Sequence, residues 1–299
     1  MKKYFQTQIK VMSGILAICM AGNVNAIAIT ADIDANNLAS SILGSGITIN
    51  SATLSSQSSG TATSSGTYTN ASGTYGIDSG IVLSSGNVND YNDGPNNNTQ
   101  NTTGYGVSAS IAQEGLLDPV SDGSFDHSDV TQFDLNFDVD ASTSNIFFNV
   151  VFGSEEYDEW VGTSFIDTFG IYLNGAHIAT FNGETVNADH PDMTFFGGTE
   201  LDGLLDPTLG TGDPVMLFSG LVNAGSSNNT LTFIIADSGD DTFDSTVYIS
   251  GLSNVDPGGG TQGGGNGAQQ VSEPASISLF GLGLTGLVAI RRRKTSAVI

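Results

Sequence analysis

Thr131 to Val139 alternates, with Phe133, Leu135, Phe137 and Val139 on one face and Asp134, Asn136 and Asp138 on the other. That period of two predicts a strand with one face on a core and one in water. Ile146 to Phe152 is a nearly unbroken apolar run, as in a central strand covered on both faces. Thr168 to Leu173, His177 to Phe181, Val215 to Leu221, Leu231 to Ala236 and Thr246 to Leu252 are further short apolar runs, separated by Gly, Asn, Ser and Asp. Asn174-Gly175 between two of them predicts a tight hairpin turn. Ala35 to Leu43 reads as a short helix capped by Asp34, with Leu38, Ile42 and Leu43 on its apolar side, and little other helix is expected. Ser51 to Gly76 is rich in Ser, Thr and Gly and suits exposed edge strands and disorder equally well. The pattern predicts an all-β chain: a single β-sandwich or jelly-roll-like domain with one short N-terminal helix.

Apolar stretches of a different kind stand at the two ends. Lys2, Lys3 and Lys10 precede an apolar run from Val11 to Ala21, and Val24 and Ala26 occupy the small-residue positions of a cleavage site. Residues 1–26 therefore read as a signal peptide, cut by signal peptidase after Ala26. Cys19, the only cysteine, would leave with it, so the processed domain would have neither disulfides nor thiolate ligands. At the other end a Gly-rich linker (256–271) leads to Ser272-Glu273-Pro274-Ala275-Ser276, an apolar run from Ile277 to Ile290, and Arg291-Arg292-Arg293-Lys294. As a helix the run would be roughly 20 Å long, short of the ~30 Å hydrocarbon core. The basic tail would hold the C-terminus in the cytoplasm.

This ending resembles the PEP-CTERM sorting signal, with Ser272 where the family's name places a Pro. The resemblance implies transient membrane insertion and processing by exosortase, in a Gram-negative bacterium that makes exopolysaccharide. Within the same stretch, Gly281 to Gly286 has the spacing of a dinucleotide-binding loop, but no βαβ unit can follow it.

Charge narrows the picture further. The seven Lys and Arg are Lys2, Lys3, Lys10, Arg291, Arg292, Arg293 and Lys294, so Ile27 to Ile290 has no basic side chain while holding all 31 acidic ones. Nucleic acid is excluded as a partner, because phosphate contacts need basic groups. Carboxylates crowd at strand ends: Glu155, Glu156, Asp158 and Glu159, then Asp167, then Asp237, Asp240, Asp241 and Asp244. Of these, Glu155, Glu156, Asp167, Asp237, Asp241 and Asp244 are candidate ligands for Ca²⁺, a hard cation that takes six to eight oxygens; solvated surface acids are the competing reading. Asp32 to Leu43 is no EF-hand, having neither the loop Gly nor the final Glu. No catalytic set is assigned. Glu155 and Glu156 are adjacent and would face opposite ways, and His127, His177 and His190 are isolated from one another.

Four blocks resemble the choice-of-anchor L domain in order: Gly76 to Gly86 (GIDSGIVLSSG), Phe152 to Tyr157 (FGSEEY), Phe165 to Leu173 (FIDTFGIYL) and Ala236 to Ser245 (ADSGDDTFDS). The resemblance runs from about Ile33 to Val255, within a domain set at 27–255, and implies a bacterial surface protein without implying a reaction. The expectation is an exported protein of the cell surface or extracellular matrix, such as a biofilm, with a structural or interaction role in the exopolysaccharide layer. A calcium-dependent carbohydrate-binding adhesin is the second reading and a secreted glycoside hydrolase the third.

Overall fold

A computed structural model describes residues 27–263, apart from 93, 95, 122–124 and 209–211. The expected signal peptide with Ala26, the sorting motif Ser272, Glu273, Pro274, Ala275 and Ser276, and the C-terminal apolar helix lie outside the described residues. Among the described residues no helix is long and apolar enough to cross a membrane.

Strand β1 (Ala28–Ala31) leads into helix α1 (Ala35–Ile42) and strand β2 (Ile47–Ser55). A small hairpin of β3 (Ser58–Ser59) and β4 (Ala62–Thr63) precedes β5 (Ser65–Thr69) and β6 (Gly80–Ser84). After helix α2 (Ile111–Leu117) come the long strands β7 (His127–Val139) and β8 (Asn145–Ser154), then β9 (Thr168–Leu173). The short strands β10 (Ala176–His177), β11 (Thr180–Phe181), β12 (Glu184–Thr185), β13 (Met193–Phe195) and β14 (Gly203–Leu205) follow. Strands β15 (Met216–Leu221), β16 (Asn229–Ser238), β17 (Ser245–Ser253) and β18 (Thr261–Gln262) complete the fold.

Two sheets form a sandwich. The larger runs β1-β5-β6-β17-β8-β14-β13, with β15 also on β8 and β18 on β15; the smaller runs β10-β9-β16-β7-β2. Strict alternation puts one set of side chains between them. Phe148, Val150 and Phe152 of β8 and Val247 and Ile249 of β17 meet Phe169, Ile171, Phe233 and Ile235 in one core. Across it the Phe148 and Phe233 rings meet edge to face at 5.3 Å, and Phe152 stacks near Phe169 at 6.5 Å. The intervening residues are buried too. Val82, Val151 and Tyr248 point outward into a second cluster with Tyr68, Tyr75 and Tyr91, whereas Tyr172, Ile234 and Ala236 pack with Leu117 of α2 on the far side. Two covered faces are why the run at Ile146 to Phe152 lacks alternation.

The turn and the helix starts around these strands differ in how visible they are in the sequence. Asn174 and Gly175, at φ 51° and 78°, join Leu173 to Ala176 as a tight turn with both central residues left-handed. Asp34 caps α1 as expected, accepting a hydrogen bond from the Asn36 N–H at 2.9 Å. Helix α2 is an addition to the one helix expected. Ser110 and Gln113 form a reciprocal capping box there, and only one of its residues, Leu117, is buried, so its apolar periodicity is faint.

Three other expectations are refined. Ser51 to Gly76 is largely ordered: β2 pairs β7 at the edge of the smaller sheet, and β5 lies between β1 and β6. His177 to Phe181 is broken, with His177 in β10, paired to Tyr172 of β9, and Thr180–Phe181 in a separate hairpin with Glu184–Thr185. The Gly-rich stretch after Val255 does not leave the fold at once, since Gly263 N–H bonds Leu217 O at 2.7 Å and β18 pairs β15. A Cβ on Gly260 would sit 2.8 Å from the Leu217 nitrogen, and one on Gly263 2.8 Å from the Phe218 ring. Glycine there permits close packing as well as linker freedom.

Phe233→Ala should lower stability by about 3–5 kcal/mol, the usual range for deleting a buried Phe. Phe195→Ala, at a side chain 67% exposed, should stay within about 0.5 kcal/mol. Chemical denaturation of the two variants beside the parent protein checks both.

Candidate functional site

Five strand ends converge at one end of the sandwich. Strand β17 lies between β6 and β8, with Thr246 opposite Ser84 and Ser245 opposite Ser154, so the segments after Ser84 and after Ser154 flank Asp244. In the smaller sheet Ala236 faces Thr168, which brings Asp237 beside Asp167. The larger sheet thus contributes Glu155, Glu156 and Asp244, and the smaller contributes Asp167 and Asp237. Asp167, Asp237 and Asp244 are 0% exposed and Glu155 and Glu156 are 1% exposed.

Their partners are unevenly distributed. Asp167 Oδ2 accepts from Ser245 Oγ at 2.8 Å, a hydrogen bond that joins the two sheets, and Oδ1 accepts from Ser238 N–H at 3.3 Å. The Asp244 carboxyl accepts from Thr103 N–H at 2.9 Å and lies against Gly86, where an added Cβ would fall 1.6 Å from Oδ2. Any side chain at Gly86 would displace Asp244. Glu155 accepts one N–H, from Asn101 at 3.3 Å, through Oε2 only. Glu155 Oε1 and both carboxyl oxygens of Glu156 and of Asp237 are buried with no hydrogen-bond partner. The Ser85 hydroxyl lies near enough to Asp237 to favour its charged form somewhat, though outside good hydrogen-bond geometry.

Burial, chiefly, drives these groups toward the protonated form. It pushes Glu155 up to about 9, with Asp202 and Asp244 adding repulsion. It pushes Glu156 up to about 9 as well, with Asp167, Asp240, Asp189 and Glu159 adding theirs. Adjacent in sequence, the two glutamates look into different surroundings. Asp244 rises to about 7 by burial, against the Thr103 N–H and with Asp90 and Asp129 nearby. Burial holds Asp167 well above the carboxylate range, opposed by the Ser245 hydrogen bond and reinforced by Asp244 and Asp240. Asp237 is held high by burial and then by Asp167, Asp244 and Asp129.

Asp241 does not join this group. It is exposed and lines an open recess of about 300 Å³ with Asp126, His127 and Asp240. The chain turns outward at Gly239, with φ 98°, and Asp240 is tied to Thr242 at 2.8 Å. In its place the fold brings Asp129, which the sequence reading passed over. Asp129 is fully buried and accepts from the N–H groups of Tyr105 (2.6 Å), Gly106 (3.3 Å) and Val107 (2.9 Å). In sequence it looks like one more surface acid. Asp202, 7% exposed, is a second such residue: burial raises it to about 6, and the Asn96 amide donates to one of its oxygens.

Two neighbouring features complete this end. Trp160 is half-buried, its ring 5.4 Å from Phe165 and 5.9 Å from Phe243. A recess of about 310 Å³ is lined by Thr99, Tyr157, Asp158, Glu159, Phe195 and Asp202. Elsewhere, ligand atoms of Glu114, Asp118 and His127 lie within 4.8 Å of one another. Glu114 Oε2 and His127 Nδ1 are already hydrogen-bonded at 2.6 Å and Asp118 is exposed, which leaves His127 Nε2 as the one buried atom of the trio with no hydrogen-bond partner.

A family model of the choice-of-anchor L domain matches residues 24–254, and one of the PEP-CTERM protein-sorting motif matches residues 270–294. No curated protein and no solved structure matches the chain. The first match takes in all five strand ends around the carboxylates.

A folded-state pKa above the unfolded value means that the fold holds protons the unfolded chain releases. This contribution is fully present below about pH 4 and is lost as pH rises through about 7 for Asp244 and about 9 for Glu155 and Glu156. In excess chelator the melting temperature should therefore fall steadily over that window. A flat or rising thermal-melt profile would contradict the buried-carboxyl arrangement.

Proposed function

This chain belongs to the choice-of-anchor L domain family, and we propose that it serves as a structural or interaction component of an exopolysaccharide-rich extracellular layer. With its PEP-CTERM motif it is an exosortase-sorted surface protein. The observation that carries the proposal is how the domain is presented. Strand β18 runs parallel to β15, with Met216 opposite Thr261, and β15 runs antiparallel to β8, with Leu221 opposite Asn145. At Gln262 the chain is therefore heading toward the Asn145 end of β8, away from Ser154 and the carboxylates. The strand-end cluster, Trp160 and the Tyr157 recess sit at the end opposite to that heading. A surface with no Lys or Arg between Ile27 and Ile290 favours hydrated neutral glycans over anionic lipid.

Processing at both ends tests the route. The protein recovered from outside the cell should begin at Ile27, after signal peptidase, and should lack the Ile277 to Ile290 segment in intact-mass analysis. Retention of that segment in cells with active exosortase, or identical products in cells without it, would defeat the proposal.

A carbohydrate-binding adhesin is the second reading, favoured by the recess beside the cluster. Phe195 is 67% exposed, Tyr157 lines the same wall, and Asp202 Oδ2 is buried with no hydrogen-bond partner. Aromatic faces cover the apolar faces of sugar rings, and carboxylates accept from their hydroxyls. Phe195→Ala should cut retention on immobilised neutral polysaccharide about tenfold, which corresponds to the ~1.4 kcal/mol of a lost ring contact. Unchanged retention would remove the recess from consideration.

A further inference from the structure

We propose that Asp167, Asp237 and Asp244, flanked by Glu155 and Glu156, form a Ca²⁺ site that ties the two sheets together at this end of the sandwich. The proposal is independent of which extracellular partner the domain serves.

Unmet hydrogen-bonding capacity is the first ground. Five buried carboxyl oxygens, both of Asp237, both of Glu156 and Oε1 of Glu155, have no donor. An oxygen in that position costs the full desolvation of the group. Proteins meet such a cost with a donor, a basic side chain or a cation. Thr103, Ser238, Ser245 and Asn101 supply donors to Asp167, Asp244 and one oxygen of Glu155, and none of these donors reaches the five oxygens.

The second ground is that the protein has no cation of its own to offer. Lys and Arg are absent from Ile27 to Ile290. Of the three histidines, His127 is committed to Glu114 at 2.6 Å and His190 bonds the Phe181 carbonyl at 3.1 Å. His177 lies on the Tyr172 ring, and burial holds it below its usual pKa.

Ligand chemistry selects the ion. The surroundings are oxygen throughout: carboxylates, the Ser84, Ser85 and Ser245 hydroxyls and strand-end carbonyls, with no sulfur or imidazole among them. That set suits a hard cation. Side chains from five separate strand ends suit the six to eight ligands and loose geometry of Ca²⁺ better than the strict octahedron of Mg²⁺. The ligands belong to both sheets, so one ion would act where the Ser245–Asp167 hydrogen bond already crosses between them. The trio of Glu114, Asp118 and His127 has a single buried atom without a partner, His127 Nε2, against five carboxyl oxygens here, which is why the buried carboxylates are preferred.

The experiment uses the protein as recovered from outside the cell, purified and stripped with chelator at neutral pH. Calorimetric titration and thermal melts are run with Ca²⁺, with Mg²⁺ and on Asp237→Asn. At a hundredfold excess over Kd, Ca²⁺ should raise the Tm by about 5–10 °C, and Mg²⁺ by much less. Asp237→Asn should lose most of that rise, while its metal-free Tm equals or exceeds the parent's, because a neutral amide replaces a carboxyl that burial, Asp167 and Asp244 hold back from ionising. If Asp237→Asn does not fold, Glu156→Gln replaces it with the same expectation. No binding heat and no Tm shift at millimolar Ca²⁺ would overturn the proposal. So would a full calcium response in both variants, which would place the ion elsewhere, or an equal response to Mg²⁺.

Discussion

The structure depends on burying several carboxyl groups side by side in a domain that carries no Lys or Arg. Like charges out of water repel and lose hydration together. Asp167, Asp237 and Asp244 tolerate this because rigid strand ends from two sheets fix them. Segments distant in sequence are thereby forced into one place: Asp244 against Gly86, Asp167 against Ser245, Glu155 against Asn101. The four sequence blocks of the family are the segments that build this end. Their glycines and serines have a physical reason there. Gly86 leaves room for the Asp244 carboxyl, and the Ser84 and Ser85 hydroxyls engage the Ser245 backbone at 2.9 Å, one as donor and one as acceptor.

The sandwich behind the cluster is built to hold it still. The larger sheet is covered on both faces at its centre, by the shared phenylalanine core inside and the tyrosine cluster outside, and the smaller is covered outside where α2 packs on Tyr172, Ile234 and Ala236. A sheet packed on only one side could flex and let water reach the carboxyls. Coverage of the central strands on both faces also explains how the described residues, with no Lys or Arg among them, reach a well-packed interior. Its central strands carry large apolar side chains on both sides, from Phe148 and Phe152 inward to Val151 and Tyr248 outward.

Most of the strands were legible in the sequence, because burial writes itself as period two at Thr131 to Val139 and as a continuous run at Ile146 to Phe152. Helix α2 was not, since its buried contact is one leucine and its start depends on a hydrogen-bonding reciprocity between Ser110 and Gln113. The carboxylates were legible only by position. Glu155, Glu156, Asp167, Asp237 and Asp244 were found by their place at strand ends. Asp241, three residues from Asp244 and chemically identical, turns outward because the backbone swings at Gly239. Asp129 was missed for the converse reason: three backbone N–H groups of a distant loop claim it. No one-dimensional pattern records which acid a fold will bury.

The same constraint bears on stability. A domain whose folded form concentrates unpaired acids is least stable where protons and hard cations are scarce, and gains stability where they are available, because whatever binds only the folded state stabilises it. The confinement of every Lys and Arg to the two terminal segments has the same effect, since a single basic side chain near Asp237 could neutralise the cluster from within. With none present, neutralising these carboxyls falls to protons or to a cation bound from solution.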